Sequence, residues 1–148
     1  MNIQDLLSPT RVLFNLKAND KHEVINELID ILDADGKLSD REQYKAAVLL
    51  REMEFSTGIG MGIAIPHAKD ASVKEAALTL GLSHKGVDYE SLDGTPAHIF
   101  FLIAVPADSN DIHLKVLSYI SRKLMHQEVR DRLLAATTYE DILAAFKD

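Results

Sequence analysis

Apolar residues along this chain recur with two spacings, and the switch between them predicts the elements. Val12, Phe14 and Leu16 fall on every second position, which predicts a first strand over Thr10 to Leu16 after a short helical turn at Ile3 to Leu7. Val24, Ile25, Leu28, Ile29 and Leu32 recur at helical spacing, predicting an amphipathic helix from Asp20 to about Ala34 that Gly36 stops. A second helix is expected to about Met53, capped by the Ser39 hydroxyl with Glu42 reaching back from three residues on. Ile63, Ala64 and Ile65 read as a short buried strand that ends at Pro66. Leu78, Leu80 and Leu82 alternate with Thr79, Gly81 and Ser83, predicting a strand with one buried and one more polar face.

The run Ile99 to Val105 is apolar without a break and ends at Pro106, the signature of a central strand covered on both faces. Asp88 to Gly94 supplies the turn before it. Three further helices are expected, from about Asp111 to Leu124, from Glu128 to Ala136, and after Thr138, where Asp141 completes a capping pattern. With no internal repeat or linker, residues 1–148 read as a single domain. The fold class is α/β, a single mixed β-sheet flanked by helices on both faces, with strand order left open.

Composition narrows the chemistry. An apolar content of 47% fills one core, and 16 basic against 23 acidic residues give a net charge of -7, which argues against nucleic acid or an anionic membrane as the main partner. The absence of cysteine excludes a disulfide framework, a thiolate zinc site and a thiol nucleophile within these residues. No signal-like start and no run near ~20 apolar residues is present, so a cytoplasmic protein without membrane insertion is expected.

Candidate chemistry centres on STGIGMGIAIPHAKD, Ser56 to Asp70. Thr57, Gly58, Gly60 and Gly62 form a pliable segment whose amides can face a bound anion such as a phosphoryl group. The spacing GxGxG matches neither a Walker loop nor a dinucleotide fingerprint, so no nucleotide is implied. Such a segment is equally able to be a plain loop. His67 follows a proline at a strand end, where α/β proteins place their sites, and a neutral imidazole is a competent nucleophile. Arg51, just before the glycines, can fork two hydrogen bonds to phosphoryl oxygens, and His113 opens the helix after the apolar strand. Taken alone each reads first as structural, Arg51 pairing only with Glu54 or a neighbouring carboxylate and His113 decorating a helix start. His22, His84, His98 and His126 lie on polar stretches or strand ends and have weaker claims.

Glu52, six residues, Ile59, Gly60, two residues, then Ile63-Ala64-Ile65-Pro66-His67-Ala68 resembles the phosphorylation-site signature of the enzyme IIA proteins of the fructose/mannitol class of the bacterial sugar phosphotransferase system. The similarity extends through GVDYESLDG and HLKVLSYISRKL, from about Gln4 to Phe146. The resemblance implies that His67 accepts a phosphoryl group from the phosphocarrier HPr, favours Nε2 as the acceptor atom, and assigns Arg51 and His113 to the phosphoryl oxygens. It further implies a cysteine of a separate IIB domain or subunit as acceptor, with its membrane IIC, and neither cofactor nor metal. Fructose or a related sugar is the expected cargo. Two alternatives stay open. Nitrogen-regulatory members carry the same signature but act as phosphorylation-dependent binding switches, although the SLDG turn and LSYISRKL helix look more like the fructose type. A metal module built on His67, His113 and a carboxylate is disfavoured by the adjacent arginine.

Overall fold

The computed structural model describes residues 2–147. In it the unbroken apolar run becomes the strand on which everything else is hung. In chain order the elements are β1 Val12–Leu13, α1 Lys21–Ala34, α2 Arg41–Glu54, β2 Gly58–Gly60, β3 Ile63–Ala64, β4 His67–Asp70, β5 Ala77–Val87, β6 Ala97–Pro106, α3 Ile112–Leu124, α4 Gln127–Ala135 and α5 Tyr139–Ala145. The mixed sheet runs β1-β5-β6-β3-β2, with β4 also pairing β6. β1 is parallel to β5, β5 antiparallel to β6, β3 and β4 parallel to β6, and β2 antiparallel to β3.

Period-two alternation along β6 divides its side chains between two cores. Ile99, Phe101, Ile103 and Val105 join Val116, Ile120 and Leu124 of α3 with Leu133 and Ile142 from α4 and α5. Phe100, Leu102 and Ala104 join Val24, Leu28 and Leu32 of α1 with Tyr44 and Val48 of α2. Phe100 and Phe101 are fully buried neighbours in opposite layers. Truncating such a phenylalanine to alanine costs about 3–5 kcal/mol, so one strand anchors both faces.

The structure corrects several expectations. The first strand is only Val12–Leu13, because the chain forms a 3-10 turn at Pro9–Arg11 that sends Arg11 inward. There its Nε donates to the Leu78 carbonyl at 2.9 Å and a terminal nitrogen donates to the Leu6 carbonyl at 2.8 Å, while the guanidinium pairs with Asp35. α2 is capped by Asp40, which accepts the Gln43 amide at 3.0 Å. Ser39 instead bonds the Ser72 carbonyl, and Glu42 pairs with Arg41. The expected polar face of β5 is buried, since Thr79 and Ser83 lie under a covered sheet and Gly81 leaves room for Leu16 and Leu28. α5 follows expectation, with Thr138 and Asp141 forming a reciprocal capping box. Among the described residues no helix is long and apolar enough to cross a membrane.

Candidate functional site

β3 and β4 lie end to end along the same edge of β6, interrupted at Ile65 and Pro66. His67 starts β4 and is in register with Ile103 near the carboxyl end of β6. The strand read as ending at Pro66 is therefore resumed by the histidine itself. From the other layer Tyr44 of α2 donates to the Ile103 carbonyl at 3.0 Å, bracing α2 against this point of the sheet. A groove of about 470 Å³ opens between α2 and the start of α3, lined by Ala47, Leu50, Arg51, His67, Lys69 and His113 among others.

His67 is 7% exposed, and its Nδ1 lies 2.7 Å from the Ile65 carbonyl oxygen. A carbonyl oxygen only accepts, so Nδ1 carries the proton and donates, leaving the lone pair on Nε2. Burial holds this imidazole below its ordinary range and the Arg51 guanidinium pushes the same way. The Ile65 carbonyl and the carboxylates of Glu52 and Glu54 oppose that shift. The net effect is a ring that stays neutral at pH 7. His113 sits with its ring centroid 5.2 Å from that of His67. Burial lowers its affinity for a proton, as do the nearby His67, Lys69 and Arg51, and its Nδ1 is buried without a hydrogen-bond partner.

Arg51 lies in the last turn of α2, where a cation complements the exposed carbonyls of the helix end. Its Nη1 donates to the Phe55 carbonyl at 3.1 Å, and its guanidinium rests 4.4 Å from the centre of the Phe55 ring. Contact with Glu54 is loose, at 3.9 Å, so the arginine is braced by backbone and ring rather than neutralised by a tight ion pair. A free Nε2 lone pair suits an electrophilic centre, and the braced guanidinium beside it carries N–H donors for the oxygens around that centre.

The expected site residues thus divide. His67, His113 and Arg51 converge on the groove. Gly58, Gly60 and Gly62 are not among its lining residues; they build the β2–β3 hairpin, one strand position before Ile63, whose partner on β6 is Ile99. That is four positions from Ile103, roughly 13 Å at a strand's ~3.3 Å rise. At the hairpin tip the chain's own Asp93 carboxylate accepts the Met61 amide at 3.0 Å, and the Gly58 amide donates to the Ser56 hydroxyl at 3.0 Å. Gly60 adopts φ +97, and a Cβ there would lie 2.8 Å from the Asp93 carboxylate oxygen. Thr57 is buried, its hydroxyl donating to Glu52, and its carbonyl accepts the Ile65 amide at 3.0 Å.

Two residues of the neighbourhood were given no role from sequence, Glu52 entering only as the first position of the signature. Lys69 lines the groove and donates from Nζ to the Asn110 carbonyl at 3.2 Å, tying β4 to the loop before α3. Strand alternation was the available signal, since residues 67 and 69 share a face. Glu52 is buried beneath the site, with Lys21 Nζ at 3.0 Å, and nothing local in sequence pairs α1 with α2 in that way. Leu50, which lines the groove, is exposed, as are Met53, Phe55 and Leu114, which adjoin lining residues in the chain. A larger cavity, about 600 Å³, opens at α4 and α5, but its titratable side chains, His126, Glu128, Arg132 and Lys147, are all exposed. Among the described residues no group of three or more histidines and carboxylates is placed to hold a metal ion.

The chain is similar to known proteins along nearly its whole length. Residues 5–148 match the family described as phosphoenolpyruvate-dependent sugar phosphotransferase system, EIIA 2. The chain is 49% identical over 143 residues to the PTS system fructose-specific EIIABC component of Bacillus subtilis, covering 97% of this chain but 22% of that protein. It is 41% identical over 127 residues to the fructose-specific EIIA component of Haloferax volcanii, covering 84% of this chain and 82% of the relative. Among solved structures, the nitrogen regulatory protein IIA-Ntr of Neisseria meningitidis superposes with a TM-score of 0.89 at 27% identity, covering 98% and 99% of the two chains.

Proposed function

The chain belongs to the phosphoenolpyruvate-dependent sugar phosphotransferase system EIIA 2 family, and on that premise we propose that its phosphohistidine forms at Nε2 of His67. It is a phosphoryl-carrying component of that system, a phosphotransferase working through a phosphohistidine intermediate. The observation that carries the assignment to His67 is the 2.7 Å bond from its Nδ1 to the Ile65 carbonyl, in a groove that also holds Arg51 and His113.

The transfer runs in two steps. Nε2 attacks the phosphorus of the donor, taken to be phospho-HPr, and the N–P bond forms as the donor's own bond to phosphorus breaks and its electron pair departs. The Nδ1 proton stays against the Ile65 carbonyl. Arg51 and His113 bear on the equatorial oxygens, where charge is spread in such a transition state. In the second step a cysteine thiolate of a IIB domain attacks the same phosphorus, and His67 recovers its lone pair. These 148 residues hold no cysteine, so the acceptor thiol lies outside them. The exposed Leu50, Met53, Phe55 and Leu114 form an apolar fringe suited to docking the donor and acceptor proteins in turn.

Fructose or a closely related sugar is the proposed cargo, on the strength of the two fructose-specific relatives. A second reading, a phosphorylation-dependent regulatory switch, is favoured by the likeness to IIA-Ntr. Incubation with enzyme I, HPr and labelled phosphoenolpyruvate, followed by a fructose-type IIB domain, separates them. Acid-labile, alkali-stable label on His67 that moves to the IIB cysteine supports carriage toward the sugar. Label that forms and stays, against several IIB domains, supports the switch, and absence of label rejects both.

A further inference from the structure

Beneath the groove a buried ion pair is joined to the His67 ring by hydrogen bonds that run through the backbone of Thr57 and Ile65. Glu52 on α2 accepts from Lys21 Nζ of α1 at 3.0 Å, from the Thr57 amide at 3.1 Å, from the Thr57 hydroxyl, and from the Tyr89 hydroxyl at 3.2 Å. The lysine lies 5.0 Å from the centre of the Tyr89 ring, and the side chains of Lys21 and Glu52 are 11% and 5% exposed. From Thr57 the connection continues. The Thr57 carbonyl accepts the Ile65 amide at 3.0 Å, and the Ile65 carbonyl accepts from His67 Nδ1 at 2.7 Å.

Ile65 occupies the gap between β3 and β4, where the regular ladder to β6 lapses. Its amide is held instead by Thr57, the residue before β2, and Thr57 is held by Glu52. A buried ion pair of this kind contributes little net stability compared with well-packed apolar side chains. Its retention under the site therefore calls for another account.

We propose that Glu52 is a positioning residue for phosphoryl transfer: through Thr57 it fixes the Ile65 carbonyl, which keeps His67 in the Nδ1–H tautomer with the Nε2 lone pair toward the groove. Lys21 neutralises the carboxylate, so the phosphoryl group arriving above it meets no unpaired negative charge. Histidine in water prefers the opposite tautomer, with its proton on Nε2, so loosening the Ile65 carbonyl masks the nucleophile without removing it. This role rests on the assignment of His67 as acceptor.

The test reads the tautomer directly, by ¹H–¹⁵N NMR of the His67 imidazole at neutral pH, alongside the rate of label uptake from phospho-HPr. The paired substitution Lys21→Met with Glu52→Met replaces the ion pair by apolar volume and keeps no acceptor for the Thr57 amide. The Nε2–H tautomer is expected to appear and uptake to slow at least ~10-fold, a loss of about 1.4 kcal/mol in the barrier term. Glu52→Gln retains an acceptor oxygen and is expected to keep the Nδ1–H tautomer. A folded paired variant whose His67 remains Nδ1–H overturns the proposal, as does a Glu52→Gln protein that loses that tautomer. If the paired variant fails to fold, Glu52→Gln alone decides, because its retention of Nδ1–H is required. The tautomer is read without phosphoryl donor, so absence of label on the wild-type protein rejects the assignment of His67 and leaves this measurement standing.

Discussion

Two histidines of this protein are clamped in the same way near opposite ends of β6, His98 on its amino end and His67 on β4 beside its carboxyl end. His67 places Nδ1 2.7 Å from the Ile65 carbonyl, and His98 places Nδ1 2.8 Å from the Ser83 carbonyl. Both clamps leave the lone pair on Nε2, so the clamp alone does not make a site. What differs is the company. Around His67 stand Arg51, Lys69 and His113, brought by the end of α2, by β4 and by the start of α3. Around His98 a cavity of about 310 Å³ holds Arg130, but also Asp131 beside it, and Arg130 is tied to the Leu124 carbonyl at 2.7 Å. The His98 Nε2 also lies 3.1 Å from where a Cβ on Gly86 would sit, so backbone covers it. His67 is at the carboxyl end of β6, where helices on both faces begin and end and their chain termini converge.

The sharpest way to break this comparison is to remove each imidazole in turn. His67→Ala is expected to abolish label uptake from phospho-HPr, whereas His98→Ala should leave the rate within about twofold, since substitutions away from the chemistry act mainly on stability. Uptake lost in the His98 variant with the fold intact would mean the wrong end of the sheet has been chosen. Next come the groups around the nucleophile. Arg51→Ala is expected to slow transfer about 10²–10³-fold and His113→Ala somewhat less, the range found when one preorganised donor to a developing charge is deleted. Rapid-quench single-turnover rates with both proteins at fixed concentration measure this.

A smaller effect sharpens the electrostatic half of the comparison. The folded His67 ring is held below its ordinary 6.5 by burial and by Arg51, so its NMR titration midpoint should fall below that value. Removing the cation in Arg51→Gln should move the midpoint upward, because an imidazolium no longer faces a guanidinium. The same shift enters stability. Above about pH 6.5 both folded and unfolded forms are neutral, and as pH falls the unfolded chain takes the proton first. His67 therefore withdraws stability from there down to its lower folded value. A midpoint above 6.5 in the native protein contradicts the assigned environment.

The smallest expected effect concerns the hairpin. Gly60→Ala meets Asp93 in a left-handed conformation and is expected to cost about 1–3 kcal/mol, seen as a lowered Tm. Transfer by the folded variant should be unchanged. A folded Gly60→Ala protein that no longer accepts label would return the glycines to the site.

Much of this was legible in sequence where the signal is local. The Ile99 to Val105 run declared a strand buried on two faces, the Thr138 and Asp141 pair declared a helix start, and the Glu52 to Ala68 signature pointed to His67. The reading failed where sequence neighbours part company in space. Gly62 and His67 are five residues apart, and one extended segment between them carries the glycines to the amino end of β6 and the histidine to its carboxyl end. The Ser39 and Glu42 pattern reads as a capping box, yet Asp40 beside it caps the helix, because Ser39 is drawn to the Ser72 carbonyl, 33 residues away.

By itself, then, the sequence determined the periodicities and most of the helix ends, and its local signature singled out His67 as the proposed acceptor, all of which depend on patterns reaching a few residues along the chain. Tertiary structure alone decided that Asp93 accepts the Met61 amide of the hairpin, that Lys69 and His113 face the same groove, and that Lys21 meets Glu52 under it. Those contacts join segments far apart in sequence, and they are made only once the shared burial of both sheet faces has fixed which strand lies beside which.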